Sequence, residues 1–174
     1  LMSDQKSIPT VYMRGGTSKG LLFNKKDLPS DRKILSQYLL SAMGSPDTRQ
    51  INGMGGATSV TSKVCIISKS KEPVIDIDYL FAQFVVDQAI VDFGTTCGNM
   101  LSAVGPYSRE QGMINAEMDA TKIIIKADNT GSIIEAIVPT TNKKVKYSGN
   151  IKIAGVPGEG AAILLKFKNL VGGA

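Results

Sequence analysis

Three short segments of the chain each combine glycine, hydroxyl side chains and an ionisable group. They span residues 14–20, 55–63 and 96–100. Glycine lets backbone N–H groups approach an anion, arginine holds a carboxylate through two hydrogen bonds, and hydroxyl groups complete the contacts. The pattern predicts recognition of a polycarboxylate with transfer of a proton to or from carbon. The binding candidates in the first two segments are Arg14, Thr17, Ser18, Lys19, Gly56, Thr58 and Ser59.

The groups that could carry the proton are Cys97 and Lys63. The chain has no histidine, which excludes a histidine base, a Ser-His-Asp triad and a Cys-His dyad. Cys97 stands where a helix is predicted to begin, and the partial positive charge of a helix N-terminus favours a thiolate. Lys63 enters an apolar strand, where loss of hydration favours the neutral, basic amine.

Each of these segments also has a purely structural interpretation. Residues 14–20 could form a hairpin turn with solvated cations, and Lys63 could be an edge-strand lysine that discourages aggregation. Cys97 could be a small buried apolar residue. Cys65, between Val64 and Ile66, is predicted to be a core residue.

Charge and composition narrow the class of protein. The 174 residues carry a net charge of +5, are 43% apolar and include no tryptophan. No basic stripe alternates with aromatic residues, which argues against a nucleic-acid partner. No apolar run approaches the roughly 20 residues of a membrane helix.

The two cysteines and the first residues bear on metals and location. Neither Cys65 nor Cys97 lies in a CxxC pattern, so the sequence predicts no metal site. The first ten residues lack the apolar core of a signal peptide, and unpaired cysteines suit a reducing compartment. We therefore expect a cytoplasmic protein.

The elements that must position these residues are short strands and two helices. A helix is predicted over residues 30–43, with Ser30 as N-cap and Gly44 as its end, and a second helix follows Cys97. Pro106 is expected to kink the second helix or end its first half. Strands are predicted over residues 8–13, 21–23, 63–68, 74–82, 84–93, 121–127, 132–138 and 160–168. This order has no βαβ alternation and indicates an α+β fold with a largely antiparallel or mixed sheet.

The three motifs, read together, resemble those of the PrpF family. They are Met13-Arg-Gly-Gly-Thr-Ser-Lys-Gly20, Gly55-Gly-Ala-Thr-Ser-Val-Thr-Ser-Lys63 and Thr96-Cys-Gly-Asn-Met100. The resemblance runs from Val11 to the end of the chain. It implies a diaminopimelate-epimerase-like fold, in which a mixed sheet or barrel wraps around a central helix and two such domains enclose the active-site cleft.

The resemblance also bears on domain organisation. Family members are about twice as long, and the apolar last residues, from Leu170, have no terminator. We therefore expect residues 1–174 to be one N-terminal domain of a longer protein. The second domain would then be missing from this chain, and the resemblance does not imply that this half is active alone.

The function implied by the resemblance is a cofactor-independent isomerase of unsaturated tricarboxylates. The substrate that the resemblance implies is 2-methylaconitate, an intermediate of propionate breakdown by the 2-methylcitrate pathway. Removal and return of an allylic proton would convert its cis and trans isomers. Lys63 and Cys97 would be the catalytic residues. Gly98, Asn99, Met100, Thr17, Ser18 and Lys19 would bind the substrate.

Other functions within and outside this chemistry remain open. A related enzyme could instead shift the double bond, as a 4-oxalomesaconate tautomerase or a methylitaconate isomerase does. In a different class, the protein could bind carboxylates without catalysis as an accessory to an aconitase-like dehydratase. The sequence also leaves a homo-oligomer open.

Overall fold

The computed structural model describes residues 4–168. Two α-helices, α1 (Arg32–Met43) and α2 (Gly98–Glu110), accompany eight strands. The strands are β1 (Val11–Gly15), β2 (Ser18–Asn24), β3 (Lys63–Lys69), β4 (Ile77–Phe84), β5 (Val91–Asp92), β6 (Ala120–Ala127), β7 (Ile133–Pro139) and β8 (Leu164–Lys168). They form one sheet in the order β1-β2-β3-β4-β6-β7-β8, and β5 pairs with β4.

Helix α1 begins one residue later than predicted. The Asp31 side chain accepts a hydrogen bond from the backbone N–H of Ile34 at 2.9 Å, so Asp31 and not Ser30 is the N-cap. A carboxylate at this position satisfies a free N–H and complements the helix dipole. The predicted end at Gly44 is confirmed, because Gly44 takes the left-handed conformation with φ of 88°.

Helix α2 is the central helix, and it does not end at Pro106. It continues to Glu110, with most of its residues buried on the inner face of the sheet. Proline costs a helix about 3 kcal/mol by removing one hydrogen bond. Val104 and Tyr107 are both buried on either side of Pro106, and their packing outweighs that loss.

The connections between parallel strands correct the predicted topology. Strands β2 and β3 are parallel and are joined through α1, while β4 and β6 are parallel and are joined through α2. The predicted absence of βαβ units is therefore wrong. The long segment between α1 and β3 hides the alternation in the sequence. The α+β class with a mixed sheet around a central helix is confirmed.

Several strand boundaries also differ from the predictions. Strand β4 begins at Ile77 and not at residue 74 as predicted, because Val74 has a φ of 72°, which is not an extended conformation. The strand predicted over residues 84–93 is wrong, because only Phe84, at the end of β4, and the two residues of β5 lie in strands. The last strand, β8, begins at Leu164 and not at residue 160. The hairpin β6–β7 forms as predicted, since residues 128–131 supply its turn. The apolar residues from Leu170 lie outside the described residues.

Strand alternation divides the core into two layers. Cys65 and Ile67 of β3 pack with α2, whereas Val64 and Ile66 pack with α1 on the opposite face. The same alternation directs Lys63 toward α2. Within the described chain, neither helix is long and apolar enough to cross a membrane.

Candidate active site

Lys63 and Cys97 meet at the first turn of the central helix. Lys63 Nζ donates a hydrogen bond to Cys97 Sγ at 3.4 Å. Lys63 is the first residue of β3 and Cys97 is the N-cap of α2, so two separate elements supply the pair. Cys97 is 9% exposed and Lys63 is half-buried. The structure therefore brings together the two predicted catalytic side chains in a place that solvent partly reaches.

The pair lies between an aromatic ring and the start of a helix. Lys63 Nζ lies 5.4 Å from the centre of the Phe81 ring, and the face of an aromatic ring attracts a cation. The free N–H groups of the first turn of α2 favour an anion bound near the N-cap. With one shared proton, the pair is either ammonium with thiolate or amine with thiol. Both forms contain one proton donor and one proton acceptor.

The first glycine-rich segment is pressed against the start of α2. A Cβ atom on Gly15 would lie 2.6 Å from the Asn99 carbonyl oxygen, so only glycine permits this approach. The Asn99 side chain donates a hydrogen bond to Thr17 Oγ1 at 3.0 Å. Gly98 and Asn99 are exposed and Met100 is fully buried. These contacts bring Thr17 together with the helix start.

Ser18 and Lys19 point to opposite faces of β2. Ser18 shares the α2 face with Leu22, is 2% exposed, and its hydroxyl has no hydrogen-bond partner among the described residues. Lys19 shares the other face with Leu21, and its Nζ lies 5.4 Å from the centre of the Tyr12 ring. The structure therefore places Ser18 on the side of the Lys63–Cys97 pair and Lys19 on the far side.

The second glycine-rich segment is bound to itself and to Gln50. Thr58 Oγ1 lies 2.7 Å from Thr61 Oγ1, and Gly56 packs against the Thr61 side chain. Gln50, 1% exposed, accepts hydrogen bonds from the Ala57 N–H at 2.7 Å and from Ser62 Oγ at 3.1 Å. These contacts shape the loop that leads into Lys63.

Three predicted binding residues of this loop are exposed and do not contact the Lys63–Cys97 pair. Gly56, Thr58 and Ser59 are exposed, and Gln83 of β4 donates a hydrogen bond to the Ser59 carbonyl at 3.0 Å. The structure brings none of these three residues into hydrogen-bond contact with Lys63 or Cys97 within residues 4–168. Sequence reasoning missed Gln50, since no local pattern singles it out.

Asn129 is a second residue that sequence reasoning missed. Its side chain donates hydrogen bonds to the Phe93 carbonyl at 2.9 Å and to the Thr95 carbonyl. It thereby anchors the segment leading to Cys97 on the turn between β6 and β7. Asparagine is a common turn residue, so its place in the predicted turn over residues 128–131 gave no sign of these contacts.

Two other ionisable groups of the same core, the Cys65 thiol and the Tyr79 hydroxyl, stay protonated at neutral pH. Burial raises the pKa of the Cys65 thiol well above its usual range, and the nearby Cys97 raises it further. Burial likewise raises the pKa of Tyr79. Cys65 and Tyr79 are therefore not suited to carry a proton at neutral pH. In residues 4–168, no three His, Cys, Asp or Glu side chains are grouped to hold a metal ion.

Comparison with known proteins places this geometry in context. A family model described as PrpF protein matches residues 5–174. Over 97% of its length the chain is 49% identical to a 4-oxalomesaconate tautomerase from Pseudomonas putida, of which it covers 46%. It is 40% identical to a 2-methyl-aconitate isomerase from Cupriavidus necator, over 94% of this chain and 44% of that one.

A solved structure extends the similarity to three dimensions. A crystal structure of methylitaconate-delta-isomerase matches with a TM-score of 0.91 and 43% identity, over 94% of this chain and 42% of that chain. The chain thus spans about half the length of the relatives it matches.

Proposed function

Because the chain belongs to the PrpF family, we propose that it provides the proton-transfer half of an isomerase acting on unsaturated tricarboxylates. The observation that carries the proposal is the 3.4 Å contact between Lys63 Nζ and Cys97 Sγ at the open start of α2. An amine and a thiol in contact can take a proton from one carbon and deliver one to another.

The reaction starts at a carbon next to the double bond. The Cys97 thiolate takes a proton from this allylic carbon, and the electron pair of the C–H bond spreads over the alkene and its carboxylate as a dienolate. The Lys63 ammonium then gives a proton to the far carbon of the dienolate, which shifts the double bond. Transfer of the thiol proton to the amine across the 3.4 Å contact restores the starting pair.

A cis–trans isomerisation follows from the same intermediate. In the dienolate the former double bond has single-bond character and can rotate. Return of the proton to its original carbon then gives the other isomer without a shift.

The negative charge of the dienolate needs donors that are already in place. The N–H groups of Gly98 and Asn99, two exposed residues in the first turn of α2, supply them, and the unpartnered Ser18 hydroxyl is a further donor on the same side. One such preorganised donor is typically worth about 3 kcal/mol of transition-state stabilisation.

The proposed location is the cytoplasm, because both cysteines are free and a reducing compartment keeps thiols unpaired.

The substrate proposed within this class is 2-methylaconitate, which the family resemblance implies and which the 40% identity to a 2-methyl-aconitate isomerase supports. The higher identity to the oxalomesaconate tautomerase supports a double-bond shift as the second candidate, and both reactions use the same proton carriers. A carboxylate-binding accessory to an aconitase-like dehydratase would need the anion site but not the Lys63–Cys97 contact, so that contact argues for catalysis.

A panel of unsaturated polycarboxylates followed by ultraviolet absorbance tests the proposal. The Lys63→Met and Cys97→Ala variants are expected to lose at least about 100-fold in isomerisation rate, the scale of a general acid or base. Lys69→Met, at the exposed other end of β3, is the matched control and should keep the rate. Unchanged turnover in both site variants would refute the proposed chemistry.

A further inference from the structure

A second cavity adjoins the start of α2, next to the proposed reaction centre. It has a volume of about 360 Å³, within the usual range for small-molecule sites. One wall consists of Gly98, Asn99 and Ser102, on one stripe of α2, and the facing wall comes from residues 146–163. Since Gly98 directly follows Cys97, the cavity begins one residue from the thiol-bearing position. Neither Lys63 nor Cys97 lines it.

Two cations line this cavity without a carboxylate partner. Arg14 and Lys146 come from distant parts of the chain, and among residues 4–168 neither forms an ion pair. Arg14 Nη1 donates one hydrogen bond to the Gly16 carbonyl at 3.0 Å, which leaves most of the guanidinium donors free. Both side chains are exposed, so an anion can reach them.

The nearby acidic side chains are already engaged. Glu110 accepts a hydrogen bond from the Tyr147 hydroxyl at 3.0 Å, and Glu159 pairs with Lys152 at 3.5 Å. The first contact ties the facing wall to the end of α2. The charge directed at the cavity is therefore positive, and the N-terminus of α2 adds to it.

The rest of the lining is largely apolar. Ile151, Ile163 and Leu165 contribute hydrocarbon surface beside the two cations. A bare inorganic anion would leave this surface uncovered. A carboxylate carried on a short hydrocarbon arm matches both the charge and the apolar wall.

We propose that the cavity binds a carboxylate arm of the substrate that does not react, with Lys146 and Arg14 as its specificity-determining residues. This inference rests on the proposed function, because it needs the reacting carbon to lie at Lys63 and Cys97. An unsaturated tricarboxylate fills both the reaction centre and the cavity. A dicarboxylate of the same core fills the reaction centre alone, so the cavity discriminates between the two classes.

Isothermal titration calorimetry of the 174-residue chain with trans-aconitate and with mesaconate tests this inference. The first probe is an unsaturated tricarboxylate and the second an unsaturated dicarboxylate. Lys146→Gln is expected to weaken trans-aconitate binding about 10-fold, the low end of the range for loss of one hydrogen bond between charged groups, and to change mesaconate binding less than 2-fold. The matched control is Lys122→Gln, which removes the same charge from an exposed position on β6 and should change neither affinity.

The outcomes separate this inference from the proposed function. If the unaltered chain binds both probes but Lys146→Gln weakens neither, or weakens both equally, the arm-binding cavity is wrong and the reaction centre stands. If the unaltered chain binds neither probe, the proposed function itself fails and the cavity fails with it. Because Lys146 is exposed, the variant should fold normally, and circular dichroism checks this.

Discussion

Two cysteines lie in the same apolar core layer as the central helix, and burial gives them different roles. Cys65 is fully buried in β3, whereas Cys97 lies at the helix start in contact with Lys63. Desolvation disfavours the thiolate of Cys65. The proposed chemistry therefore requires Cys65 to be unreactive while Cys97 reacts.

Alkylation tests this difference at the residue scale. In a Cys97→Ala variant, iodoacetamide at pH 8.5 should leave Cys65 unmodified in the folded chain and modify it in urea, as read by mass spectrometry. Equal modification of Cys65 in both states would contradict the assignment.

The raised pKa of Cys65 also makes the free energy of unfolding depend on pH. Above the ordinary thiol pKa, the unfolded chain releases this proton and the folded chain keeps it, so the Cys65 thiol lowers the stability of the fold as pH rises.

The element that positions the site is the tight junction between the β1–β2 turn and α2. At Gly15 this junction leaves no space for a side chain, because the nearest atoms belong to the backbone of Asn99 and Met100. Backbone cannot move aside without shifting the helix start. The geometry of the Lys63–Cys97 pair thus depends on a glycine that touches neither residue.

Substitution of that glycine tests the junction. Gly15→Ala should cost about 1–3 kcal/mol of unfolding free energy through overpacking, lowering Tm by roughly 3–10 °C in a domain of this size. Gly98→Ala is the matched control, since a Cβ atom there would meet nothing within 4 Å. Its Tm should stay within about 2 °C, because helices tolerate alanine well. Thermal melts followed by circular dichroism measure both variants, and equal melting would show that the junction is not tight.

Across the described residues, strands β2, β3 and β4 are covered on both faces, and only one face carries the proposed chemistry. Helix α1 packs on β2, β3 and β4 from one side, and α2 packs on them from the other. Lys63 and Ser18 both lie on the α2 face. The α1 face holds a larger cavity, of about 1040 Å³, which Lys63 and Cys97 do not line.

Local signals predicted the parts of this architecture that depend on neighbouring residues. Residues 128–131 predicted the β6–β7 hairpin, and Gly44 predicted the end of α1. Alternation along β3 sets the face on which Lys63 lies.

Contacts between distant residues decided the rest. Asn129 reaches back to the Phe93 carbonyl, and Gln50 holds the loop before Lys63. The pairing of β4 with β6 follows from the crossover through α2. Hydrophobic pattern and residue propensity describe neighbours along the chain and do not predict such contacts. The sequence therefore predicted neither the parallel strand pairs β2–β3 and β4–β6 nor the shared cavity of Lys146 and Arg14.

Solvent deuterium exchange tests most directly whether the chain moves protons at carbon. The 174-residue chain in D₂O with trans-aconitate should incorporate deuterium at the allylic methylene carbon, followed by NMR, well above the buffer rate. A Lys63→Met/Cys97→Ala double variant should return the rate to that of buffer. A chain that binds trans-aconitate but exchanges no proton would contradict the account and identify a carboxylate-binding protein instead.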